Sequence, residues 1–196
     1  MAALRLPQLQ PHQRIGLYGG SFNPVHAGHK QVAATALRAG RLDRLVWLVS
    51  PQNPLKNPVE TAAYDQRLQA VKRAAHGPRQ RVSDLEARLG IAYSYQTLRH
   101  LGRVHPDVQF VWVMGADSFA GLHRWRHWQE IAQCVPFLVV ARPGTERRAT
   151  ACPAAQLLGR PRPAPALANC GRGWAFVRMP LSPLASSLIR KQRVTQ

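Results

Sequence analysis

The stretch Gly16-LYGGSFNPVHAG-His29 decides how the rest of the chain is read. A short apolar run, "RIGLYGG" (14–20), ends in two glycines, and an Asn-Pro step and two histidines follow at once. Gly19 and Gly20 leave a backbone that turns sharply and lets a phosphate approach the amides of Ser21 and Phe22. Asn23-Pro24 starts the turn into a helix, and "AGHKQVAATALRAG" (27–40) is a helix closed by Gly40. His26 and His29, three apart, fall on one face of its first turn. Gly28 between them removes a side chain where a ligand could press on the backbone. A strand, a glycine turn and a helix that presents two imidazoles and several N–H groups suit one anion. The string is neither G-x-G-x-x-G nor G-x-x-x-x-G-K-[ST], so the two commonest nucleotide fingerprints are absent.

The same alternation continues outward. "DRLVWLVS" (43–50) is a second strand, stopped by "PQNPLKNP" (51–58), whose three prolines forbid regular structure. A helix over 61–77, a short strand "QRVSDLEA" (80–87) and a helix opened by Ser94 come next. "DVQFVWVMGAD" (107–117) is the strongest strand, apolar on both faces and ending in Gly115-Ala116-Asp117. A helix "LHRWRHWQEIAQ" (122–133), a strand "PFLVVARPG" (136–144), a strand "WAFVRMP" (174–180) and a closing helix "SSLIRKQR" (186–193) complete the series. Residues 143–173, rich in Pro, Ala and Arg without clear periodicity, read as a long surface loop, and 1–13 as a loose polar lead-in rather than a signal peptide. Strands apolar on both faces and separated by helices predict an α/β, Rossmann-like, doubly wound parallel sheet with helices on both faces, in one domain spanning 1–196. Ligands of such sheets bind beyond the strands' carboxyl ends, where the strand order reverses. The glycine turn, Gly115–Asp117 and Arg142–Gly144 are expected to meet there.

Composition bounds the partners. The chain has 27 Lys+Arg against 9 Asp+Glu, a formal net charge of +18, and no acid follows Glu146. That balance attracts polyanions, either nucleic acid or phosphorylated small molecules. Cys134, Cys152 and Cys170 are too scattered for a disulfide framework or a zinc site. No run of eighteen apolar residues offers a membrane span, so a cytoplasmic protein is expected.

"GGSFNPVHAGH" (19–29) resembles the signature of the nucleotidyltransferases marked by (H/T)-x-G-H, and specifically that of the bacterial nicotinate-nucleotide adenylyltransferases. The related phosphopantetheine enzymes usually carry Thr and Asp where His26 and Asn23 stand. The resemblance continues through "WLVSPQNPLK" (47–56), "AYSYQTLRHL" (92–101), "WVMGADSFAGLHRWRHWQEI" (112–131), "VVARPG" (139–144) and "PLASSLIRK" (183–191). The last is similar to a terminal I-S-S-T-x-I-R motif, with Leu184, Ala185 and Ser187 for Ile, the first Ser and Thr, so Ala185 lacks a usual hydroxyl.

The resemblance implies transfer of AMP from ATP to nicotinate mononucleotide, giving deamido-NAD and pyrophosphate in NAD biosynthesis. His29 is then expected to bond the α-phosphate, and His26 to orient the phosphates, with Gly19, Gly20, Ser21, Phe22 and Gly28 forming the loop. Ser186, Ser187 and Arg190 would hold the β- and γ-phosphates. Asp117 accepts from a ribose hydroxyl or caps its helix; Arg142 meets the adenosine or lies on the surface; Lys56 reaches a phosphate or solvent. Trp125 would stack on the pyridine ring, with Trp128 packed in the core. Ser94 and Thr97 would lie near the nicotinate pocket, Ser94 being equally suited to an N-cap. Mg²⁺ would bind mainly through the triphosphate, because few acids are available. The phosphate of the mononucleotide, with a second pKa of about 6, needs no general base. Two rivals remain: an adenylyltransferase of nicotinamide mononucleotide or phosphopantetheine, and a basic nucleic-acid-binding protein, motivated by the charge of +18 and by the basic, aromatic "HRWRHW" (123–128).

Overall fold

The computed structural model describes residues 5–51, 61–141 and 145–179. Six strands form one all-parallel sheet: β1 (Arg14–Gly20), β2 (Arg44–Val49), β3 (Gln80–Ser83), β4 (Gln109–Gly115), β5 (Phe137–Ala141) and β6 (Trp174–Arg178). Their order, β3-β2-β1-β4-β5-β6, winds outward in two directions from the β1/β4 pair. That pair is therefore the switch point, where a crevice opens at the carboxyl ends.

Strand period and helix period together build two cores. Val111 and Val113 of β4 face one side, with Trp47 and Val140; Trp112 and Met114 face the other, with Leu17 and Val139. Helix α1 (Ala27–Ala39) closes the first side with the stripe Val32, Ala33, Ala36 and Leu37. Helix α2 (Tyr64–Ala74) adds Leu68 and Val71. The second side is covered by α4 (Ser94–Val104) through Leu98 and Leu101, α5 (Ala116–Ala120) through Phe119, and α6 (Trp128–Cys134) through Ile131. Helix α3 (Leu85–Leu89) precedes α4. Trp47, Trp112 and Trp174 are all but fully buried, and each large apolar side chain removed from water contributes about 1.5–3 kcal/mol.

Four local expectations are corrected. Residues 143–173 are not simply loop. They hold α7 (Glu146–Thr150), α8 (Pro153–Leu158) and a 3₁₀ segment (Ala164–Asn169), and they bury Ala149, Cys152, Ala154, Ala155 and Leu167. Alanines pack closely without the large side chains that make a period visible. The lead-in is tied down from Leu6, which is buried and donates its N–H to Nε2 of His105 at 3.1 Å; His12 N donates to Asp107 O at 2.7 Å. The third strand stops at Ser83, where α3 begins two residues on.

The expected helix over 122–133 is broken. A 3₁₀ turn (Leu122–Arg124) gives way to extended Trp125 and left-handed His127 (φ 54°) before α6. Its cause is visible beside it: His127 Nδ1 pairs with Oε1 of Glu130 at 2.7 Å and its ring packs on Tyr95.

Candidate active site

A cavity of about 620 Å³ opens at the carboxyl ends of β1 and β4. Gly19, Gly20, Ser21 and Phe22 line its β1 side, with His26, Gly28 and His29 from the start of α1. Gly115, Asp117 and Ser118 lie at the end of β4; Ser50, Tyr93, Ser94, Arg124, Trp125 and Arg126 complete the wall.

The glycines are there for space. A Cβ on Gly19 would stand 2.8 Å from the indole of Trp112, a ring buried at the centre of the sheet. A Cβ on Gly28 would stand 3.0 Å from the imidazole of His26. Gly28 thus lets the His26 ring fold back over the helix start, where it lies 3.8 Å from the His29 ring, centroid to centroid.

His26 is the N-cap of α1 and His29 its third residue. The His26 N–H donates to Nδ1 of His29 at 3.2 Å, and the His29 N–H donates to the His26 carbonyl at 3.0 Å. Because Nδ1 accepts, the proton of a neutral His29 ring sits on Nε2, which makes that nitrogen a donor suited to a phosphate oxygen. Phe22 holds the ring in place, edge-on at 5.2 Å, while it packs on Tyr18 and Trp47. It does so with φ at 46°, a left-handed conformation that a bulky residue adopts only when its surroundings enforce it.

Of the other residues expected from sequence, Ser94 and Trp125 reach the cavity, and Trp125 meets Trp112 edge to face. Trp128 is partly buried against the core. Ser94 is the first residue of α4, with Tyr93 as its N-cap, and Asp117 is the second residue of α5, with Gly115 as N-cap. Thr97 does not line the cavity. It is fully buried and donates its hydroxyl to Glu86 Oε1 at 2.8 Å. Lys56, Arg142, Ser186, Ser187 and Arg190 lie outside the described residues.

Several residues of the site were not singled out by sequence. Arg67, 3% exposed on the inner face of α2, donates to four carbonyls: Ala62 at 3.0 Å, Ser21 at 2.7 Å, Ser50 at 2.9 Å and Pro51 at 2.6 Å. It fastens the glycine turn to the end of β2. Burial pushes its pKa below the ordinary value, with the neighbouring Tyr64 acting the other way. The Tyr64 phenol is itself pushed up to about 12, chiefly by burial and then by the charge of Asp84. Arg126 lies over the ring of Tyr93 at 5.1 Å, so two arginines flank Trp125 at the rim. The available signal was a cation inside an otherwise apolar helical stripe (Arg67, Leu68, Val71) and the Arg-Trp-Arg alternation at 124–126.

A glycine turn, a paired-histidine helix start and an aromatic wall meet at the switch point of a parallel sheet, an arrangement suited to a nucleotide. Residues 17–192 match the family model described as cytidylyltransferase-like, and the chain belongs to that family. It is 45% identical over 182 residues to a protein of Caulobacter sp. (strain K31), covering 90% of this chain and 96% of the relative. It is 43% identical over 191 residues to one of Roseobacter denitrificans, covering 95% and 96%. Both relatives carry the name "Probable nicotinate-nucleotide adenylyltransferase". A solved Plasmodium falciparum nicotinic acid mononucleotide adenylyltransferase, complexed with NaAD, superposes with a TM-score of 0.67 at 16% identity, over 92% of this chain and 83% of that one. At that identity the likeness is one of fold.

Proposed function

We propose that the protein is a nicotinate-nucleotide adenylyltransferase: it transfers AMP from ATP to nicotinate mononucleotide and releases pyrophosphate. The observation that carries this reading is the division of one cavity. Its β1 side offers Gly19–Phe22, His26 and His29, which suit phosphates; its other side offers Ser94, Tyr93 and Trp125, which suit a flat ring. The relatives at 43–45% identity, over nearly their whole length, support the same substrates.

In the reaction an oxygen of the mononucleotide phosphate forms a bond to the α-phosphorus as the α–β bridging P–O bond breaks. The bridging oxygen departs with the electron pair as part of pyrophosphate. The nucleophile is largely anionic at neutral pH, so no base is needed; the work is to bring anions together and disperse charge. His29 Nε2 donates to the α-phosphate, and His26, its ring 3.8 Å from that of His29 and tilted to it, orients the chain of phosphates. The amides of Ser21 and Phe22 add two fixed dipoles. Asp117 takes a ribose hydroxyl and Trp125 the pyridine face. Lys56, Arg142, Ser186, Ser187 and Arg190 supply the remaining phosphate and adenosine contacts. Asp117 is the only carboxylate among the described lining residues, which fits a Mg²⁺ carried in on the triphosphate rather than caged by the protein. None of the described helices is long and apolar enough to cross a membrane.

The test is pyrophosphate release from ATP-Mg²⁺ with nicotinate mononucleotide, nicotinamide mononucleotide or phosphopantetheine offered separately. Preference for the first supports the reading. Preference for another acceptor keeps the chemistry and replaces the substrate, and no release with any of them removes the activity.

A further inference from the structure

Glu86 is the one buried carboxyl among the described residues, 5% exposed in α3, and it does not itself line the cavity. Its two oxygens are used separately. Oε2 accepts from the Ser50 hydroxyl at 3.0 Å, and Oε1 accepts from the Thr97 hydroxyl at 2.8 Å. Ser50 follows β2 and lines the cavity; Thr97 lies three residues beyond Ser94, one turn into α4. Burial raises the pKa of this carboxyl while the hydrogen bonds from Thr97 and Ser50 act to lower it, so it sits at a cost that those bonds offset.

The two ends of this bridge are not held equally. The Ser50 main chain is fixed without Glu86: its N–H donates to Gly20 O at 3.0 Å, and its carbonyl accepts from Arg67 at 2.9 Å. The start of α4 has no side-chain cap, because Tyr93 stands at the N-cap position. Losing the bridge therefore leaves the glycine turn in place and loosens the first turn of α4, which carries Ser94.

We propose that Glu86 is a positioning residue for the acceptor substrate: by bridging Ser50 and Thr97 it sets Tyr93 and Ser94 at the distance from the phosphate loop that the mononucleotide requires. The assignment rests on the reading of the protein as a nicotinate-nucleotide adenylyltransferase. It also gives Thr97 a role: support of the pocket from behind rather than contact with the ring.

The experiment is steady-state kinetics of the full chain with each substrate varied in turn, for Glu86→Ala, Glu86→Gln and Thr97→Val, with melting temperature as a check on folding. In Glu86→Ala the KM for nicotinate mononucleotide should rise about tenfold, the loss expected from about 1.4 kcal/mol. The KM for ATP and kcat should change less than about twofold. Glu86→Gln keeps one acceptor oxygen and an amide to which a hydroxyl can turn, so it should recover most of the loss. A purely structural role would lower the melting temperature and the active fraction while leaving both KM values alone, and that result overturns the assignment. Equal rises in both KM values overturn it as well. If Glu86→Ala does not fold, Thr97→Val decides: a selective rise for the mononucleotide sustains the proposal, and unchanged values refute it. Wild-type enzyme that ignores nicotinate mononucleotide refutes the activity itself, which these outcomes keep distinct.

Discussion

The two sides of the cavity are built in different ways. The side proposed for the phosphates is one continuous stretch, Gly19 to His29, whose two histidines are placed by their immediate neighbours, His29 by the His26 amide and the His26 ring by the missing side chain of Gly28, with Arg67 tying Ser21 to the end of β2. The side proposed for the ring is assembled from separate pieces, with Tyr93 and Ser94 at α4 and Trp125 at a helix break, and Glu86 ties α4 from behind to Ser50 at the end of β2. Local construction gives a rigid apparatus for chemistry. Distributed construction gives a pocket whose shape depends on buried polar ties. Mutations on the first side should strike the rate of transfer, and mutations on the second should strike binding or the fold.

The largest break is expected at His29. Replacing it with Ala removes a donor to the charge that builds in transfer, and kcat should fall about 100- to 1000-fold, as for other preorganised donors. Pyrophosphate release at saturating substrates measures it, and a fall of less than about threefold would contradict the role.

Arg67 comes next, and its effect should fall on stability. Arg67→Met keeps the bulk and strands the carbonyls of Ser21, Ser50 and Pro51, at a cost of about 3 kcal/mol. Denaturant unfolding reads this directly; a variant as stable as the wild type would show that these carbonyls find other partners.

Trp125→Ala sharpens the comparison from the ring side. Loss of a stacking face is worth about 0.5–1.5 kcal/mol, so the KM for the mononucleotide should rise by up to about tenfold with ATP little affected. Trp125→Phe should recover part of it.

The smallest effect concerns pH and the N-terminal segment. His105 accepts from the Leu6 N–H, and burial, aided by Arg5 and His100, pushes it below its ordinary 6.5. The ring is neutral in the folded protein where it would be charged in the unfolded chain. Its contribution is therefore present above 6.5 and is lost as pH falls from there through the lower folded value. Protection of the Leu6 amide against hydrogen exchange, taken relative to its intrinsic rate at each pH, should fall over that window in the wild type and show no such step in His105→Gln.

What could be read from the sequence follows the same division. Strong alternation of apolar strands and helices announced the sheet, because residues such as Val111 to Met114 must be buried on both faces. The phosphate side was legible as a string, since its parts are neighbours in the chain. The ring side was legible only where the resemblance supplied it. Glu86, read within a short strand, and Arg67, read within a helix, went unremarked because a charged residue ordinarily signals a solvated face, and only tertiary packing makes it a tie. Thr97 was expected near the ligand, yet its hydroxyl turns away to Glu86. The helix break at Trp125 was hidden because "HRWRHWQEI" has nothing in it that forbids a helix, and the turn follows from packing rather than from Gly or Pro.

The most direct measurement of the division is kcat and the KM for nicotinate mononucleotide in His29→Ala and Trp125→Ala, side by side with wild type. The account predicts a split: kcat collapses in the histidine variant with KM within about threefold, while KM rises in the tryptophan variant with kcat nearly retained. Two variants that move the same parameter by similar factors would contradict it, and the cavity would then be a single unit with no division between phosphate chemistry and ring recognition.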